Sequence, residues 1–557
     1  MRSYSLIKGA KILLSQEKGF QPSPKPSLPG IKICLAYPNS YFLGMSNLGF
    51  QLIYGMLSQR PNLICERVFL PSKDEEEEYR RTKSLLFSLE SQIPIRDFEI
   101  IAFSLSFELD YLNILRILKL GKIPLFSQER GEDDPLIIAG GACTFLNPEP
   151  VASFFDFLVV GEGEEVILEI VELVGRGKGQ GSRAKRELLK ELSKIPGVYV
   201  PSLYEVSYKK DGTIKEVKAD KGAPMRIKKR WVKKMSSPPF IITPNTSFKN
   251  TYLVELSRGC PFSCRFCMVR ACYAPYRIRK KEEIISSINE GLRYTDTIGL
   301  LGAAVSAYPR LEEIISYLNE KSAKVKISSL YLGTLNEEII SSLKEGGQRT
   351  LTLGLEVGTG KMRRVINKKI DKKVIDLIAK YNFRQLKLYF MIGLPGEEEE
   401  DLRAIALLVQ EILTILNSQT KVVVNVTPFI PKPYTPFQWV GMEDIKVIAG
   451  KLRFLRDFLR RDKRVELNLE SSRWALIEAA LSRGDRRVSE VIVKAEEKGG
   501  NFKDWQDAFE ETNLTPSFYA NRKREKDEVF PWQSIEGGLN RERLWKEYQK
   551  GLEIGDS

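Results

Sequence analysis

Three of the seven cysteines, Cys260, Cys264 and Cys267, lie within eight residues in a Cys-x3-Cys-x2-Cys arrangement. Three closely spaced thiolates suit a cubane iron–sulfur cluster, which normally takes four ligands, and they leave its fourth iron open to a substrate or cofactor. A zinc site usually combines two separated cysteine pairs or cysteine with histidine, and this chain contains no histidine. A disulfide framework is atypical of a 557-residue chain with so few cysteines. The spacing therefore predicts a [4Fe–4S] cluster on these three thiolates.

The flanking sequence places the cysteines in a loop between a strand and a helix. An apolar run at 252–256 precedes them, and a helix-like pattern begins at Lys281. In α/β proteins, loops at the carboxyl ends of strands carry the active site. The stretch resembles the signature of radical S-adenosylmethionine (SAM) enzymes, Cys-x3-Cys-x-aromatic-Cys, with Phe266 as the aromatic residue. In that family the amino and carboxylate groups of SAM chelate the open iron, and an electron from the cluster cleaves the sulfonium to a 5′-deoxyadenosyl radical.

Buried strands alternate with helices over residues 31–175, which predicts a doubly wound parallel sheet. The strand-like runs are 31–36, 63–70, 100–105, 136–139 and 157–160, and helical patterns occupy 48–57, 79–89, 111–120 and 165–174. Residues 1–30 are predicted to be an N-terminal extension that ends in a proline-rich, extended approach at 22–30. Sheets of this kind bind ligands at the carboxyl ends of their strands.

The loops at those carboxyl ends are rich in glycine and in small hydroxyl side chains. Any one of them alone is ordinary turn chemistry, but together they leave room for a large flat ligand. As a set they resemble the Rossmann-like cobalamin-binding domain that precedes many radical SAM barrels. That resemblance implies a cobalamin site at Tyr41, Gly44, Met45, Ser46, Asn47, Ser104, Ser106, Gly140, Gly141, Gly161 and Gly163. Without histidine, the lower face of the cobalt is left to water, to the cofactor's own base, or to Tyr41 or Asn47.

Residues 176–250 are predicted to be a basic linker that contains a hairpin. Asp211-Gly212 is the turn signal between strand-like segments at 204–209 and 213–217. The run 226–234 is the densest basic patch of the chain, with Trp231 inside it. It is either a solvated face or a surface for RNA or another polyanion.

Over residues 251–440 the alternation of strands and helices resumes at longer spacing. The strand-like runs are 252–256, 298–301, 325–330, 350–356, 386–392 and 422–427, and helical patterns such as 311–318, 337–343, 374–379 and 402–416 follow five of them. Six such units, opened by the cysteine loop, suggest the partial (β/α)6 barrel of the radical SAM family, with its chemistry at the strand carboxyl ends.

The resemblance to that barrel implies a set of SAM-binding positions. They are Phe266, Gly302, Ala303, Glu356, Arg364 (or its neighbour Arg363), Gly393 and Pro395. At 302–304 the chain has Gly-Ala-Ala where the family commonly has Gly-Gly-Glu, so only backbone contacts to the SAM amino group are expected there.

Residues 441–557 are predicted to be a mostly helical region with a further strand at 465–469 and a helix at 474–481. Its aromatic residues Trp505, Phe509, Phe530, Trp532 and Trp545 are predicted to be core. The proline- and aromatic-rich stretch 427–439 predicts either a stiff lid on the barrel or a packed domain seam.

Bulk properties restrict the location and the partners. The net charge of +14 favours anionic partners, RNA included. No apolar run is long enough to span a bilayer, and Lys8 and Lys11 interrupt any signal-peptide core. An oxygen-sensitive cluster also belongs in a reducing compartment. A cytoplasmic protein is therefore expected.

The resemblance to cobalamin-binding radical SAM proteins spans nearly the whole chain, from 44–49 through 161–164, 352–358 and 429–439 to 483–488. It implies a methylase that acts on an unactivated carbon with [4Fe–4S], SAM, cobalamin and an external electron donor of the flavodoxin or ferredoxin type. One alternative is a methylthiotransferase that acts on tRNA or a ribosomal protein, with Cys34, Cys65 and Cys143 holding a second cluster. Another is a non-catalytic iron–sulfur protein that binds RNA. Cys272 is expected to be structural.

Overall fold

The computed structural model describes residues 3–19, 30–177, 185–235, 240–327, 330–370 and 373–555. The chain forms two compact units. The first contains Met1–Asn250, Leu481–Thr515 and Asp527–Gly538, and the second contains Thr251–Ala480, Pro516–Lys526 and Leu539–Ser557. The proline-rich approach predicted at 22–30 lies, except for Gly30, outside the described residues. Across the described ranges, no helix is both long and apolar enough to cross a membrane.

The first 250 residues supply most of the first unit. Their strands are β1 (Lys18–Gly19), β2 (Ile31–Tyr37), β3 (Leu63–Phe69), β4 (Ile100–Ser104), β5 (Leu136–Gly140), β6 (Phe157–Val159), β7 (Val198–Tyr199), β8 (Tyr204–Tyr208), β9 (Ile214–Ala219), β10 (Ile227–Lys228) and β11 (Ile241–Ile242). Their helices are α1 (Tyr4–Ser15), α2 (Tyr41–Gly44), α3 (Leu48–Ser58), α4 (Lys73–Thr82), α5 (Tyr111–Gly121), α6 (Ala142–Leu146), α7 (Gly163–Gly177) and α8 (Lys185–Leu192).

Six of these strands form one sheet in the order β3-β2-β4-β5-β6-β7, parallel except for the last pair. Every residue of β2 except Lys32 is buried, as expected of a strand covered on both faces. The predicted parallel sheet and the predicted hairpin, β8 with β9, are confirmed. The helix predicted at 79–89 is wrong. Ser72 and Glu75 form a capping box that starts α4 earlier, and Lys83, with φ 53°, ends it.

The basic run 226–234 is built into the first unit. Arg230 pairs with Glu165 and Glu169, and its backbone forms a parallel bridge with Gly161. Val232 is buried, whereas Trp231 is 45% exposed. The middle of the run therefore has a structural role. RNA binding by its exposed residues stays a prediction.

The second unit is built on residues 251–480. Its strands are β12 (Tyr252–Glu255), β13 (Ser257–Arg258), β14 (Arg277–Ile278), β15 (Thr297–Leu301), β16 (Lys324–Ile327), β17 (Thr350–Glu356), β18 (Gln385–Ile392), β19 (Lys421–Pro428) and β20 (Val465–Leu469). The helices of this stretch are α9 (Val269–Tyr273), α10 (Lys281–Leu292), α11 (Leu311–Glu320), α12 (Glu337–Glu345), α13 (Gly360–Val365), α14 (Lys373–Lys380), α15 (Glu399–Ile415), α16 (Ile445–Leu459) and α17 (Ser472–Arg483).

All six predicted barrel strands are present and parallel to their neighbours. They form a three-stranded sheet, β12-β15-β16, and a four-stranded sheet, β17-β18-β19-β20, in which β20 is the further strand predicted at 465–469. A parallel bridge between Leu330 and Leu353 joins the two sheets. The result is a partial barrel whose strand carboxyl ends share one edge, as predicted.

The remainder is mostly helical, as predicted. It contains α18 (Val488–Lys498), α19 (Phe502–Glu511), α20 (Pro516–Ala520), β21 (Ile535–Glu536) and α21 (Arg541–Gly555). Trp505, Phe509, Phe530 and Trp532 are buried, as expected of a core. The stretch 427–439 is packed rather than lid-like at its end. Phe437 and Trp439 are fully buried, and Trp439 contacts Trp545 and Tyr548 of α21.

Candidate active site

A two-stranded ribbon closes the base of the cysteine loop. Ser257 and Arg258 of β13 pair antiparallel with Ile278 and Arg277 of β14. Gly259, at φ +82°, then turns the chain so tightly that a Cβ there would lie 2.6 Å from the Tyr273 carbonyl oxygen. The loop is thus fixed by the fold immediately before Cys260.

The three loop cysteines differ from the other four in exposure. Cys260, Cys264 and Cys267 are partly exposed, and the other four are buried. Burial is the main cause that raises the pKa of all three loop thiols, to about 12 for Cys264 and about 11 for Cys267. Iron deprotonates a coordinating thiol, so the donor set fits an iron–sulfur cluster that supplies the missing positive charge. Among the described residues, no group of three or more His, Cys, Asp or Glu is placed to hold a single metal ion.

Contacts from other parts of the second unit hold the cysteine loop. The Phe262 ring stacks on Tyr331, with centroids 3.7 Å apart. The Asn367 side-chain amide donates to the Ser263 carbonyl and hydroxyl oxygens. The Arg265 guanidinium donates to the Arg364 and Val365 carbonyls and pairs with Glu547 of α21. Arg364 therefore contributes its backbone here, and its side chain is exposed.

Glu356 occupies a strained position at the carboxyl end of β17. Its φ is +61°, and the pairing register with β18 shifts between Gly354 and Glu356. Non-glycine residues held in this region commonly mark functional sites. The carboxylate binds Lys368 Nζ at 2.6 Å. Burial alone lowers the pKa of Lys368, but Glu356 outweighs it and the pKa is raised, so the lysine stays charged.

The other predicted SAM-binding residues lie at or beside the carboxyl ends of the barrel strands. Gly302 follows β15, and Ala303 beside it is exposed. Gly393 follows β18 with φ +79°, and its N–H donates to Glu397 at 2.9 Å. Pro395 and the loop residue Phe266 are both partly exposed. These positions thus lie at the same edge of the barrel as the start of the cysteine loop. Their roles in binding SAM stay predictions.

In the first unit, packing explains most of the glycines predicted to face a flat ligand. A Cβ on Gly44 would lie 2.5 Å from the Phe69 ring, and one on Gly141 would lie 2.5 Å from the Leu105 carbonyl oxygen. A Cβ on Gly161 would lie 2.1 Å from the Arg230 carbonyl oxygen, and one on Gly163 would lie 3.2 Å from Ile53. Gly140 differs, because a Cβ there would meet only Val159, at an ordinary 3.8 Å.

Hydrogen bonds tie the loops that follow β2 and β4. Asn47 caps α3 by accepting from the Phe50 N–H, and its side-chain amide donates to Ser106 Oγ at 2.9 Å. Asn39 donates in the same way to Asp110 Oδ1 at 2.7 Å. Ser104 is the register partner of Gly140 in the neighbouring strand. Asn47, Ser104, Ser106 and Gly140 therefore lie together at the carboxyl edge of the sheet.

Three other predicted cobalamin-site residues are engaged within the protein. The Tyr41 hydroxyl donates to Glu17 at 2.6 Å, and the buried Met45 sulfur accepts from Arg67. Ser46 Oγ donates to the Phe42 carbonyl and accepts from the Ser247 N–H. Asn47 is engaged in the same way, through the Phe50 N–H and Ser106, so hydrogen bonding does not distinguish Asn47 from Tyr41 as the side chain below a cobalt.

Asp110 is a carboxylate of the sheet edge that sequence reasoning missed. It is 7% exposed, and burial raises its pKa to about 6, with Asn39 opposing the rise and Glu108 adding to it. Its position after β4 was visible in the sequence, but its burial against Asn39 was not.

We expect Asp110→Asn to stabilise the protein above pH 6 by about 2–3 kcal/mol. The folded protein holds a proton on Asp110 up to about pH 6, whereas the unfolded chain releases it near pH 4. The free energy of unfolding therefore falls as pH rises from about 4 to about 6, where Asp110 ionises in the folded protein. Asparagine does not ionise, so the variant avoids this fall. Urea unfolding at pH 4 and pH 8, with the exposed Asp133→Asn as control, measures the difference. A less stable Asp110→Asn protein at pH 8 would contradict the expectation.

Two family models match the chain. One, described as radical SAM proteins, N-terminal, matches residues 49–201. The other, the radical SAM superfamily, matches residues 254–409 and so includes the cysteine loop and the strained Glu356.

Relatives and solved structures extend this similarity. An uncharacterised protein of Methanocaldococcus jannaschii is 27% identical over 473 residues, which cover 83% of this chain and 90% of that protein. The tRNA-2-methylthio-N(6)-dimethylallyladenosine synthase of Clostridium perfringens is 28% identical over 165 residues, 27% of this chain and 37% of the synthase. The structure of the radical SAM methyltransferase TsrM from Kitasatospora setae, with cobalamin and a [4Fe–4S] cluster bound, is 10% identical, with a TM-score of 0.47 over 71% of this chain and 72% of that chain.

Proposed function

Because this chain belongs to the radical SAM superfamily and is an enzyme, we propose that it is a cobalamin-dependent methylase that acts on an unactivated carbon. The cobalamin part is carried by one observation, the open carboxyl edge of the first unit's sheet at Gly140. The fold requires no glycine there, since an added Cβ would make only an ordinary contact. A larger side chain at position 140 would fill the space over the strand ends, where such sheets bind ligands. Glycine at this position therefore keeps that space open for a ligand.

In this proposal each cofactor has its own set of residues. Cys260, Cys264 and Cys267 hold three irons of the cluster, and the barrel edge around Glu356 and Gly393 holds SAM. The edge at Asn47, Ser104, Ser106 and Gly140 holds the corrinoid. When bound, the cluster and SAM supply a hydrogen-abstracting radical and cobalamin supplies the methyl group.

The side chains around these sites set charge and access. Burial raises the pKa of the Cys264 thiol, Lys368 acts to lower it, and Glu356, which is paired with Lys368, raises it. Asn47 and Ser106, whose side chains are hydrogen-bonded to each other, place a neutral amide and a hydroxyl at the sheet edge. With no imidazole in the chain, these neutral groups and not a histidine lie where a corrinoid would bind.

We expect Gly140→Leu to abolish corrinoid binding while the protein stays folded. The leucine side chain would occupy the sheet edge, and the backbone of Gly140 is outside the positive-φ region that disfavours other residues. Anaerobically reconstituted protein is incubated with hydroxocobalamin and desalted, and its visible spectrum, cobalt and iron are measured. The wild type should retain about one cobalt per cluster, and Gly140→Leu should retain the cluster alone.

Gly131→Leu is the matched control, because Gly131 is exposed and a Cβ there would contact nothing within 4 Å. Wild-type protein that keeps a full cluster but binds no corrinoid would refute the cobalamin proposal. Equal cobalt retention by wild type and Gly140→Leu would place the corrinoid elsewhere.

The similarity to the tRNA methylthio synthase favours the methylthiotransferase as a second candidate. That enzyme class would need a second cluster, for which Cys34, Cys65 and Cys143 were the candidates. All three are buried, with exposures of 0%, 6% and 4%, and burial raises the pKa of Cys34 and Cys65 well above the ordinary value. Cys34 and Cys65 lie within the neighbouring strands β2 and β3, and Cys143 lies in α6. An iron count near eight per chain, rather than four, would restore this candidate.

A further inference from the structure

A cleft of about 240 Å³ lies between helix α16 and strand β20 of the second unit. It is lined by Arg456, Arg460, Leu467 and Leu469. The two leucines are half-buried and form an apolar floor, whereas both arginines are exposed. None of these four residues belongs to the cluster, SAM or cobalamin positions assigned above, so the cleft is a separate feature of the barrel.

Exposed cations continue along the rim of this cleft. Arg453, Arg461 and Lys463 are exposed, as are Arg456 and Arg460, and none of the five forms an ion pair with a described residue. Arg453 and Arg456 are three residues apart and Arg456 and Arg460 are four apart, the spacings at which like charges repel on a helix. An anion bound along this rim would relieve that repulsion.

The backbone of β20 is open beside the cleft. Among the described strands, β20 is the last of its sheet and pairs only with β19. The Glu470 N–H donates to the Val426 carbonyl of β19. Alternate residues of a strand face the same neighbour, so the N–H and C=O groups of Leu467 and Leu469 point to the open edge. The cleft thus offers hydrogen-bond donors and acceptors next to its apolar floor.

This combination favours a nucleic acid strand over other anions. A guanidinium binds a phosphate through two parallel hydrogen bonds. An unstacked base has a flat face that can lie on apolar side chains and an edge that can pair with open backbone groups. A free phosphate would use the arginines alone. A membrane surface would require exposed apolar side chains, whereas the rim of this cleft is charged.

We propose that the cleft between α16 and β20 binds single-stranded RNA, with Arg456 and Arg460 on phosphates and a base over Leu467 and Leu469. The net charge of +14 adds a long-range attraction for such a strand. The inference is independent of cobalamin and of the reaction that the enzyme catalyses.

The test measures RNA binding to the full chain after anaerobic reconstitution of its cluster. Fluorescence anisotropy of a fluorescein-labelled oligouridine gives the Kd at a series of salt concentrations. We expect Arg456→Gln combined with Arg460→Gln to weaken binding at low salt by at least about tenfold. The slope of log K against log salt should decrease in magnitude by about 1.4, because each phosphate contact to a single strand contributes about 0.7.

Arg293→Gln combined with Arg310→Gln is the matched control. It removes the same two charges from exposed arginines of the same unit, each of which pairs with a nearby glutamate. This variant should bind the oligouridine as the wild type does. Unlabelled polyphosphate, which carries the charges without bases, should displace the probe less well than unlabelled oligouridine at equal phosphate concentration.

Four results would overturn the inference. The first is unchanged binding by the Arg456 and Arg460 variant. If Lys233→Gln combined with Lys234→Gln weakens binding instead, the RNA surface is the exposed part of the basic run 226–234. The second is equal weakening by the matched control, because binding would then follow net charge alone. The third is equal competition by polyphosphate, which would show an anion site that does not contact bases. The fourth is wild-type protein that binds no oligouridine at low salt, a result that leaves the cobalamin test unaffected.

Discussion

Replacing Cys264 with alanine is expected to abolish cluster binding and the reductive cleavage of SAM. A cubane that takes only three protein ligands cannot lose one and keep its irons in place. Removing even an outer partner of a metal ligand costs about 10–100-fold, so the loss here should exceed about a hundredfold. Iron and sulfide counts on anaerobically reconstituted protein, and 5′-deoxyadenosine formed with dithionite, measure the two effects.

Cys272→Ala is the matched control for that experiment. Cys272 lies five residues beyond Cys267, is 2% exposed and belongs to helix α9. A buried cysteine of this kind behaves as a small apolar side chain, so its loss should affect packing and leave the iron count unchanged. If Cys264→Ala keeps its iron, or if Cys272→Ala loses it, the assignment of cluster ligands is wrong.

The cluster loop, the parallel sheet of the first unit and the partial barrel of the second were predictable because their signals are local. The cysteine spacing lies within eight residues, and each barrel strand is a short apolar run next to a helical pattern. Strand and helix periods differ, so the alternation of 31–175 and its return after Thr251 already indicate two α/β arrangements. The parallel order of β17, β18, β19 and β20 follows from those connections.

The features that could not be predicted from the sequence depend on contacts between residues that are far apart in the chain. Gly44 and Gly161 are typical of ligand-facing loops. The close approach of the Phe69 ring to Gly44 and of the Arg230 carbonyl to Gly161 explains why each position needs glycine. The close approach of Ser257 to Gly302 likewise joins residues that are 45 positions apart. The misplaced helix at 79–89 has a local cause instead, since the capping box at Ser72 outweighed the apolar pattern beyond Lys83.

The first unit also contains a buried ionic cluster that no sequence pattern indicated. Arg67, at 1% exposure, donates to both carboxylate oxygens of Glu17 at 2.8 Å and to Glu90 at 2.6 Å. Its guanidinium carbon lies 4.5 Å from the centre of the Tyr54 ring. One buried cation therefore compensates two carboxylates. Burial raises the pKa of Glu90 even though Arg67 acts to lower it.

We expect Arg67→Met to lower the free energy of unfolding at neutral pH by about 3–5 kcal/mol, because it leaves two partly buried carboxylates without their buried cation. Arg81→Met, which removes an exposed pair with Glu78, should have a much smaller effect. Urea unfolding at pH 5 and pH 8 measures both variants.

The pH dependence distinguishes this mechanism from simple loss of packing. Without Arg67 the pKa of Glu90 should rise further, so the folded variant holds a proton that the unfolded chain releases above about pH 4.3. Stability then falls as pH rises from that value through the raised pKa of the folded state. The cost of Arg67→Met should therefore be smaller at pH 5 than at pH 8, and Arg67→Met combined with Glu90→Gln should recover part of it at pH 8. An equal cost at both pH values would show that the guanidinium stabilises the fold by its contacts with Tyr54 and Met45 and not by its charge.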